Sequence, residues 1–538
     1  MNKKCMITTK STNIILNDTD VYYIEDYIGF GNVKEARICT DKIFMSNRSF
    51  IERYDYDGYK VSWAWYDQIY QISLKYTEIK NLIHKLEYMN YDSMTIEGIH
   101  PSYEKVLIHY FFDKNLKTNL KTNVKSFIKF STINVVLLFF SIISIVFFFI
   151  RNKKNVGIRT EDVIFKGTKS DFRLNHLYDK LDNEKINYIE FIRSRSLRSF
   201  IKNTFIRKRF SIYYDCIPYF IRLFSRKKAY KLKPTSFYES ILFEYSNNNE
   251  VLMDTIKFIK IIYKLCHIDK MLIISFSSRS ASLCIASKSM NIKTIGIMHG
   301  LSIKEYAVQE FMESYNENKK LGPDIYGVWS EAWVDYFQKY SKNINSKDIY
   351  YSGLLRPLKD YKRGEFSRVD NKKIKILLIS EPLVCAQEIL PYLEKIMEND
   401  KFELSIKVRP MIKDSFYEEL KNIYPLVTVV PKYDGKILED GKNFDVFIGS
   451  NSTAVIEASL LSKISILVKT DKWGDYFGVN ELINNKDLLI DNPDNICKEI
   501  DFRVENEFKL NTINRIRNKF FGDNKDGADW IREEIESK

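Results

Sequence analysis

Residues 444–468 read FDVFIGSNSTAVIEASLLSKISILV: an apolar strand, a small polar turn, a helix and a second apolar strand. The first strand is predicted to end at Ile448. Gly449, Ser450, Asn451, Ser452 and Thr453 then offer hydroxyls, an amide and backbone N–H groups where a helix begins, the place in an α/β unit where anions bind. Glu457 stands four residues after Thr453, one turn along on the same face, where a carboxylate can accept hydrogen bonds from ribose hydroxyls. The stretch therefore predicts half of a nucleotide site. Taken by itself it reads first as a βα turn capped by Ser and Thr beside a solvated glutamate, so the rest of the chain decides.

A chain of 538 residues, 45% of them hydrophobic, is long enough for at least two domains with full cores. Its seven cysteines (5, 39, 216, 266, 284, 385 and 497) are odd in number and never closely spaced, which predicts a reducing compartment and no structural disulfide or zinc site. The N-terminal stretch MNKKCMITTKSTNIIL has no continuous apolar core, so it is not read as a secretory signal and the soluble parts are expected in the cytoplasm.

One segment departs from this pattern. Ile133–Ile150, INVVLLFFSIISIVFFFI, holds eighteen residues without a charge, with only Asn134, Ser141 and Ser144 polar, a length near the lower limit for a membrane span. Lys114, Lys117, Lys121, Lys125 and Lys129 precede it and Arg151, Lys153, Lys154 and Arg159 follow, so the positive-inside rule chooses no orientation. The segment either spans the bilayer or enters and leaves on the cytoplasmic face as a monotopic element; a buried core helix is the third reading, against which its lack of amphipathic rhythm counts. Residues 193–233 carry thirteen basic side chains against one acid, Asp215, interleaved with Phe and Ile. That mixture suits an anionic lipid surface. Nucleic acid is the competing partner and ranks lower, because the neighbouring apolar segment explains both features together.

The remaining rhythm is α/β. DVYYIEDYIGFGN at 20–32 reads as a strand and a turn punctuated by Gly29 and Gly31, strands are expected at Ser93–Ile99 and 162–166, and Met271–Met298 repeats the strand, Ser-rich turn, helix and strand order of 444–468. Two similar α/β units predict two Rossmann-like domains facing a cleft. The expected organisation is 1–125 as the first part of an N-terminal Rossmann-like domain, 126–152 as an inserted membrane-associated segment, 153–358 as the rest of that domain with the basic region, 359–373 as linker, and 374–538 as a nucleotide-binding domain with C-terminal helices.

Several short motifs in order resemble the two-domain glycosyltransferase superfamily (GT-B architecture) of bacterial surface and capsular polysaccharide synthesis, related to polysialic acid synthases and to glycerophosphate transferases of teichoic acid assembly. IGIMHG ends in a His-Gly pair, His299 and Gly300; GVWSEAWVDYF and SGLLRPLKDY, with Gly353 and Arg356, follow; IKVRP stands at 406–410, and GSNSTAVIEA matches a Ser/Thr-rich phosphate loop. The chain departs from the family in carrying Arg409 where a histidine is usual. An arginine can hold a phosphate with permanent charge and a forked set of donors, but it cannot act as an acid at neutral pH.

The resemblance implies transfer of a sugar from a nucleotide-activated donor to a surface polysaccharide or lipid-linked glycan, with the donor as substrate and no cofactor. Arg356, Glu381, Arg409, Ser450, Asn451, Ser452, Thr453 and Glu457 are the candidate donor-binding residues, and Glu25, Asp26 and His299 the catalytic candidates, since the acceptor's proton needs a base and the leaving phosphate needs positive or donor groups. No DxD-like motif stands in a convincing place, which predicts metal-independent transfer at the cytoplasmic face of the membrane. Polyol-phosphate transfer, epimerisation of a nucleotide sugar, and a non-catalytic membrane scaffold that binds glycan intermediates are the alternatives.

Overall fold

Short runs of Ile, Leu and Val that do not alternate with polar residues need cover on both faces, the condition met in a parallel sheet. The computed structural model describes the chain except residues 1–2, 12–18, 119–123, 162–170, 194–209, 225–232, 275, 356–372, 381–385, 408–421, 423, 426, 431–440, 451, 474–478, 483–484, 505, 524 and 538. Among the described residues three parallel sheets form. The first, in the order β2-β1-β5-β6, contains β1 (Lys4–Thr8), β2 (Asp20–Tyr23), β5 (Ser93–Ile96) and β6 (Asn115–Thr118), with a small hairpin of β3 (Asp55–Tyr56) and β4 (Tyr59–Lys60) set apart from it.

The second sheet has seven strands in the order β9-β8-β7-β10-β11-β12-β13. They are β7 (Asn155–Glu161), β8 (Tyr188–Arg193), β9 (Ser211–Tyr213), β10 (Ile268–Ile274), β11 (Lys293–Ile297), β12 (Ile325–Val328) and β13 (Ile349–Tyr351). The third has six in the order β16-β15-β14-β17-β18-β19: β14 (Ile374–Ile379), β15 (Phe402–Lys407), β16 (Thr428–Val430), β17 (Val446–Gly449), β18 (Ile464–Val468) and β19 (Leu489–Ile490). In each of these two sheets the first three strands step outward one way and the later ones the other, the doubly wound order of dinucleotide-binding folds. The direction reverses between β7 and β10 in one and between β14 and β17 in the other, and ligands bind at the carboxyl ends of such strand pairs.

The α/β class with parallel sheets agrees with the sequence, and three details differ. The strands of residues 1–125 and 153–358 were expected in one interrupted domain; instead β1, β2, β5 and β6 form a sheet of their own, which shares one continuous hydrophobic core with the seven-stranded sheet, from Ile7 and Phe44 to Tyr263 and Phe337. Strand rhythm shows that strands exist, not which of them pair. The strand expected at 162–166 lies outside the described residues; the strand Asn155–Glu161, which the sheet does use, was not expected.

The third difference concerns the end of the stretch 374–538. The helix Gly527–Glu536 returns to the seven-stranded sheet, where Ala528 and Ile531 pack with Ile158, Leu177, Leu181 and Ile295. Asp526 caps it, pairs with His176 and Lys180 at 2.8 Å each, and bridges to Leu354 just after β13. The apolar segment is a single helix, Val124–Arg151, lying against β9: the backbone N–H of Tyr213 donates to Ser141 Oγ at 2.9 Å.

Candidate functional site

The loop after β17 sits at the point where the six-stranded sheet reverses direction. Gly449 is required there by space: a Cβ would stand 2.8 Å from Val455 Cγ2 and 3.2 Å from the carbonyl oxygen of Ile379, at the end of the neighbouring β14. Ser450 is buried, with its Oγ 3.4 Å from Thr470 Oγ1 on the loop after β18. Ser452 is the N-cap, its Oγ accepting from the N–H of Ala454 at 3.3 Å. The α-helix that follows is only Thr453–Glu457; it tightens into a 3-10 turn at Ala458–Leu461 and stops at Ser462, whose φ is +60°. So short a helix carries little dipole, and the hydroxyls and backbone N–H groups of the loop are what it can offer an anion. Glu457 ends the α-helical turn, half-buried.

Across from this loop lies the end of β11. Met298 is held by two bonds to the next strand, its N–H donating to the Gly327 carbonyl and its own carbonyl accepting from Trp329 Nε1, both at 2.9 Å. The chain then turns through His299 and Gly300, and the backbone N–H of Leu301 donates to Thr453 Oγ1 at 3.2 Å. Two motifs far apart in sequence, HG and GSNST, thus meet in one hydrogen bond between the two doubly wound sheets. Because the hydroxyl oxygen of Thr453 accepts, its O–H is left to donate.

A third body joins them. The loop after β18 meets the first βα loop of the N-terminal sheet: Val33 N–H donates to the Lys472 carbonyl at 3.2 Å, and Lys472 Nζ pairs with Glu78 at 2.8 Å. Burial alone would push the Glu78 carboxyl up, but Lys472, Lys75 and the hydroxyl of Tyr103 outweigh it and hold the group below its usual range. The Glu78 carbonyl also receives the N–H of Gly29 at 2.7 Å. Gly31, with φ +76°, leaves the room that the Glu78 side chain fills, since a Cβ there would approach Glu78 Cγ to 2.8 Å.

The reversal point of the seven-stranded sheet is occupied from within the chain. Just beyond β10, Ser278 N–H donates to Asp67 Oδ2 at 3.1 Å and Phe276 N–H to Glu310 Oε1 at 3.1 Å, while Tyr326 donates to the same Glu310 oxygen at 2.6 Å. Burial pushes the Asp67 carboxyl up. A cavity of ≈ 490 Å³ lined by Tyr76, Tyr91, Tyr110 and Phe237 lies beside the N-terminal sheet and includes none of the predicted site residues.

The structure therefore brings His299, Ser450, Ser452, Thr453 and Glu457 into neighbouring loops. Glu25 and Asp26 stand on the exposed turn after β2, where Glu25 accepts from the Lys10 N–H at 3.2 Å and Asp26 pairs with Lys10 Nζ at 2.5 Å. Arg356, Glu381, Arg409 and Asn451 lie outside the described residues. Sequence reasoning missed Glu78, Lys472, Thr470, Asp67 and Glu310. The Ser-rich turn at 277–280 was a signal for the partners of Asp67; a charged pair 394 residues apart, such as Glu78 and Lys472, leaves none. Among the described residues no cluster of His, Cys, Asp and Glu is arranged to hold a metal ion.

No protein-family model matches the chain, and no curated protein matches it in sequence. Among solved structures it is similar to a glycosyltransferase from Rickettsia africae, with 14% identity, 71% of this chain and 98% of that chain covered, and a TM-score of 0.45. It is similar also to S. aureus MnaA in its co-structure with UDP (11% identity, 71% and 96% covered, TM-score 0.45). A third is the UDP-GlcNAc 2-epimerase of Neisseria meningitidis bound to UDP-GlcNAc (12% identity, 71% and 99% covered, TM-score 0.45).

Proposed function

We propose that the chain is a membrane-associated glycosyltransferase of the GT-B type that takes a nucleotide-activated sugar at the loop after β17. The observation that carries this reading is the bond from Leu301 N–H to Thr453 Oγ1, which seats the His-Gly turn of one doubly wound sheet on the reversal-point loop of the other. In this reading the N–H groups and hydroxyls of residues 450–453 and the guanidinium of Arg409 hold the donor phosphates. Glu457 accepts from the ribose, and His299 faces the phosphate or the reacting centre from the opposite loop. The acceptor is a surface polysaccharide or lipid-linked glycan at the cytoplasmic face, and the transfer needs no metal ion.

The test is calorimetric binding of CMP, CDP, UDP and GDP to detergent-purified protein, beside Glu457→Ala and Arg409→Ala. Binding of one nucleotide that both substitutions weaken supports the reading and names the donor class, with CDP favouring polyol-phosphate transfer. Folded protein that binds none of the four refutes the site and leaves the scaffold reading in its place.

A further inference from the structure

Over residues 133–150 the helix Val124–Arg151 turns its polar side chains inward and an apolar face outward. Asn134, Ser141 and Ser144, the polar members of its apolar segment, are buried at 5%, 3% and 3% exposure against the protein, beside Leu137 and Phe148. Val135, Phe139, Ile142, Val146 and Ile150 point away from it, Phe139 at 60% and Ile150 at 75% exposure. Their spacing of three and four residues is that of one helical face. Phe210, stacked on Phe147 with ring centres 4.3 Å apart, widens the same surface. With a mean hydropathy of 2.9 over Thr132–Arg151, this is an apolar patch that a monomer in water does not ordinarily leave bare.

The packing also limits how a bilayer can cover it. Ser141 lies mid-helix, and its Oγ receives the backbone N–H of Tyr213 on β9, the edge strand of the seven-stranded sheet. A crossing helix would carry that edge into the hydrocarbon, where open sheet edges do not occur. Beyond Ile150 stand Arg151, Lys153 and Lys154, all exposed, and exposed Arg222 sits on the helix Cys216–Phe224 that packs beside the apolar one. These cations flank the stripe where anionic headgroups would lie.

We infer that this helix lies in the plane of a membrane, its outward stripe in the acyl–headgroup boundary of one anionic leaflet and its serine-bearing face on the protein. The inference deepens the membrane attachment in the reading above and is independent of the nucleotide chemistry.

The experiment uses the full chain and phosphatidylcholine vesicles containing phosphatidylglycerol. Phe139→Ser, Val146→Ser and Ile150→Ser together remove outward apolar surface without touching the packed face. Flotation with vesicles is expected to fall at least about tenfold while nucleotide binding in detergent and the melting temperature stay those of the parent. In a Cys385→Ser, Cys497→Ser background, single added cysteines, Asp113→Cys before the helix and Lys154→Cys after it, are then probed with an impermeant maleimide in sealed inverted membrane vesicles, with detergent and the background variant as controls. Labelling of both or of neither supports an in-plane helix; labelling of one alone means a span and overturns it. Unchanged flotation of the serine variant, or a lipid-free dimer that this variant dissociates and that never floats, overturns it as well, the latter assigning the stripe to a second copy.

Discussion

Replacing Thr453 with valine exchanges one hydroxyl for a methyl at the joint between the two doubly wound sheets and leaves its shape. Leu301 is buried, and its N–H reaches Thr453 Oγ1 at 3.2 Å; in the valine variant that donor loses this acceptor. An unsatisfied buried donor costs about 1–3 kcal/mol. Thr453 itself is half-buried, so water relieves part of the loss and about 1.4 kcal/mol, a tenfold change in local opening, is expected. The assay is amide hydrogen exchange followed at Leu301. Thr453→Val should exchange there about tenfold faster than the parent, and Thr453→Ser, which keeps the hydroxyl, should restore protection. Parent-like exchange in the valine variant, or equal loss in both variants, would refute the claim that this hydroxyl joins the two loops.

Lys472→Met leaves buried Glu78 with Lys75 and Tyr103 as partners, so destabilisation in urea should stay below the ~3–5 kcal/mol of a fully broken buried pair, and adding Glu78→Gln should recover part of it. Gly449→Val sets a Cβ 2.8 Å from Val455 Cγ2; a loss of about 1–3 kcal/mol in urea denaturation is expected from overpacking, together with loss of calorimetric nucleotide binding. Asp526 titrates on the acid side. Burial pushes its carboxyl up, but His176 and Lys180 outweigh that and hold it below its usual range. A depressed carboxylate stabilises the docked helix Gly527–Glu536 fully above the ordinary aspartate pKa of about 3.9 and less as pH falls through the folded value. Exchange protection of that helix should therefore drop below about pH 4, a step that Asp526→Asn abolishes.

What the sequence made legible was local. The strand, turn and strand of 444–468 follow from an aliphatic run, a cluster of small polar residues and a second run, and both strands are where they were expected. The length of the helix between them was not legible, because nothing in ASLLSK marks Ser462 as the residue that turns left-handed. Pairing was hidden as well: nothing in the strands before and after the apolar helix marks which sheet each joins, and they lie in different sheets. The apolar segment reads as lacking amphipathic rhythm, yet gaps of seven and three residues put Asn134, Ser141 and Ser144 on one helical face. Tyr213 and β9, which that face meets, are visible only in three dimensions. Arg356, Glu381, Arg409 and Asn451 lie outside the described residues, so the phosphate side of the candidate site rests on Ser450, Ser452 and Thr453.

The helix Gly527–Glu536 sets an order of events on the ribosome. Every strand of the seven-stranded sheet has been synthesised by Tyr351, yet Ile158, Leu177 and Ile295 stay without Ala528 and Ile531 until the intervening six-stranded sheet has left the exit tunnel. The domain that is started early is closed late. A nascent chain stalled before Asp526 would display an unfilled apolar seat to chaperones.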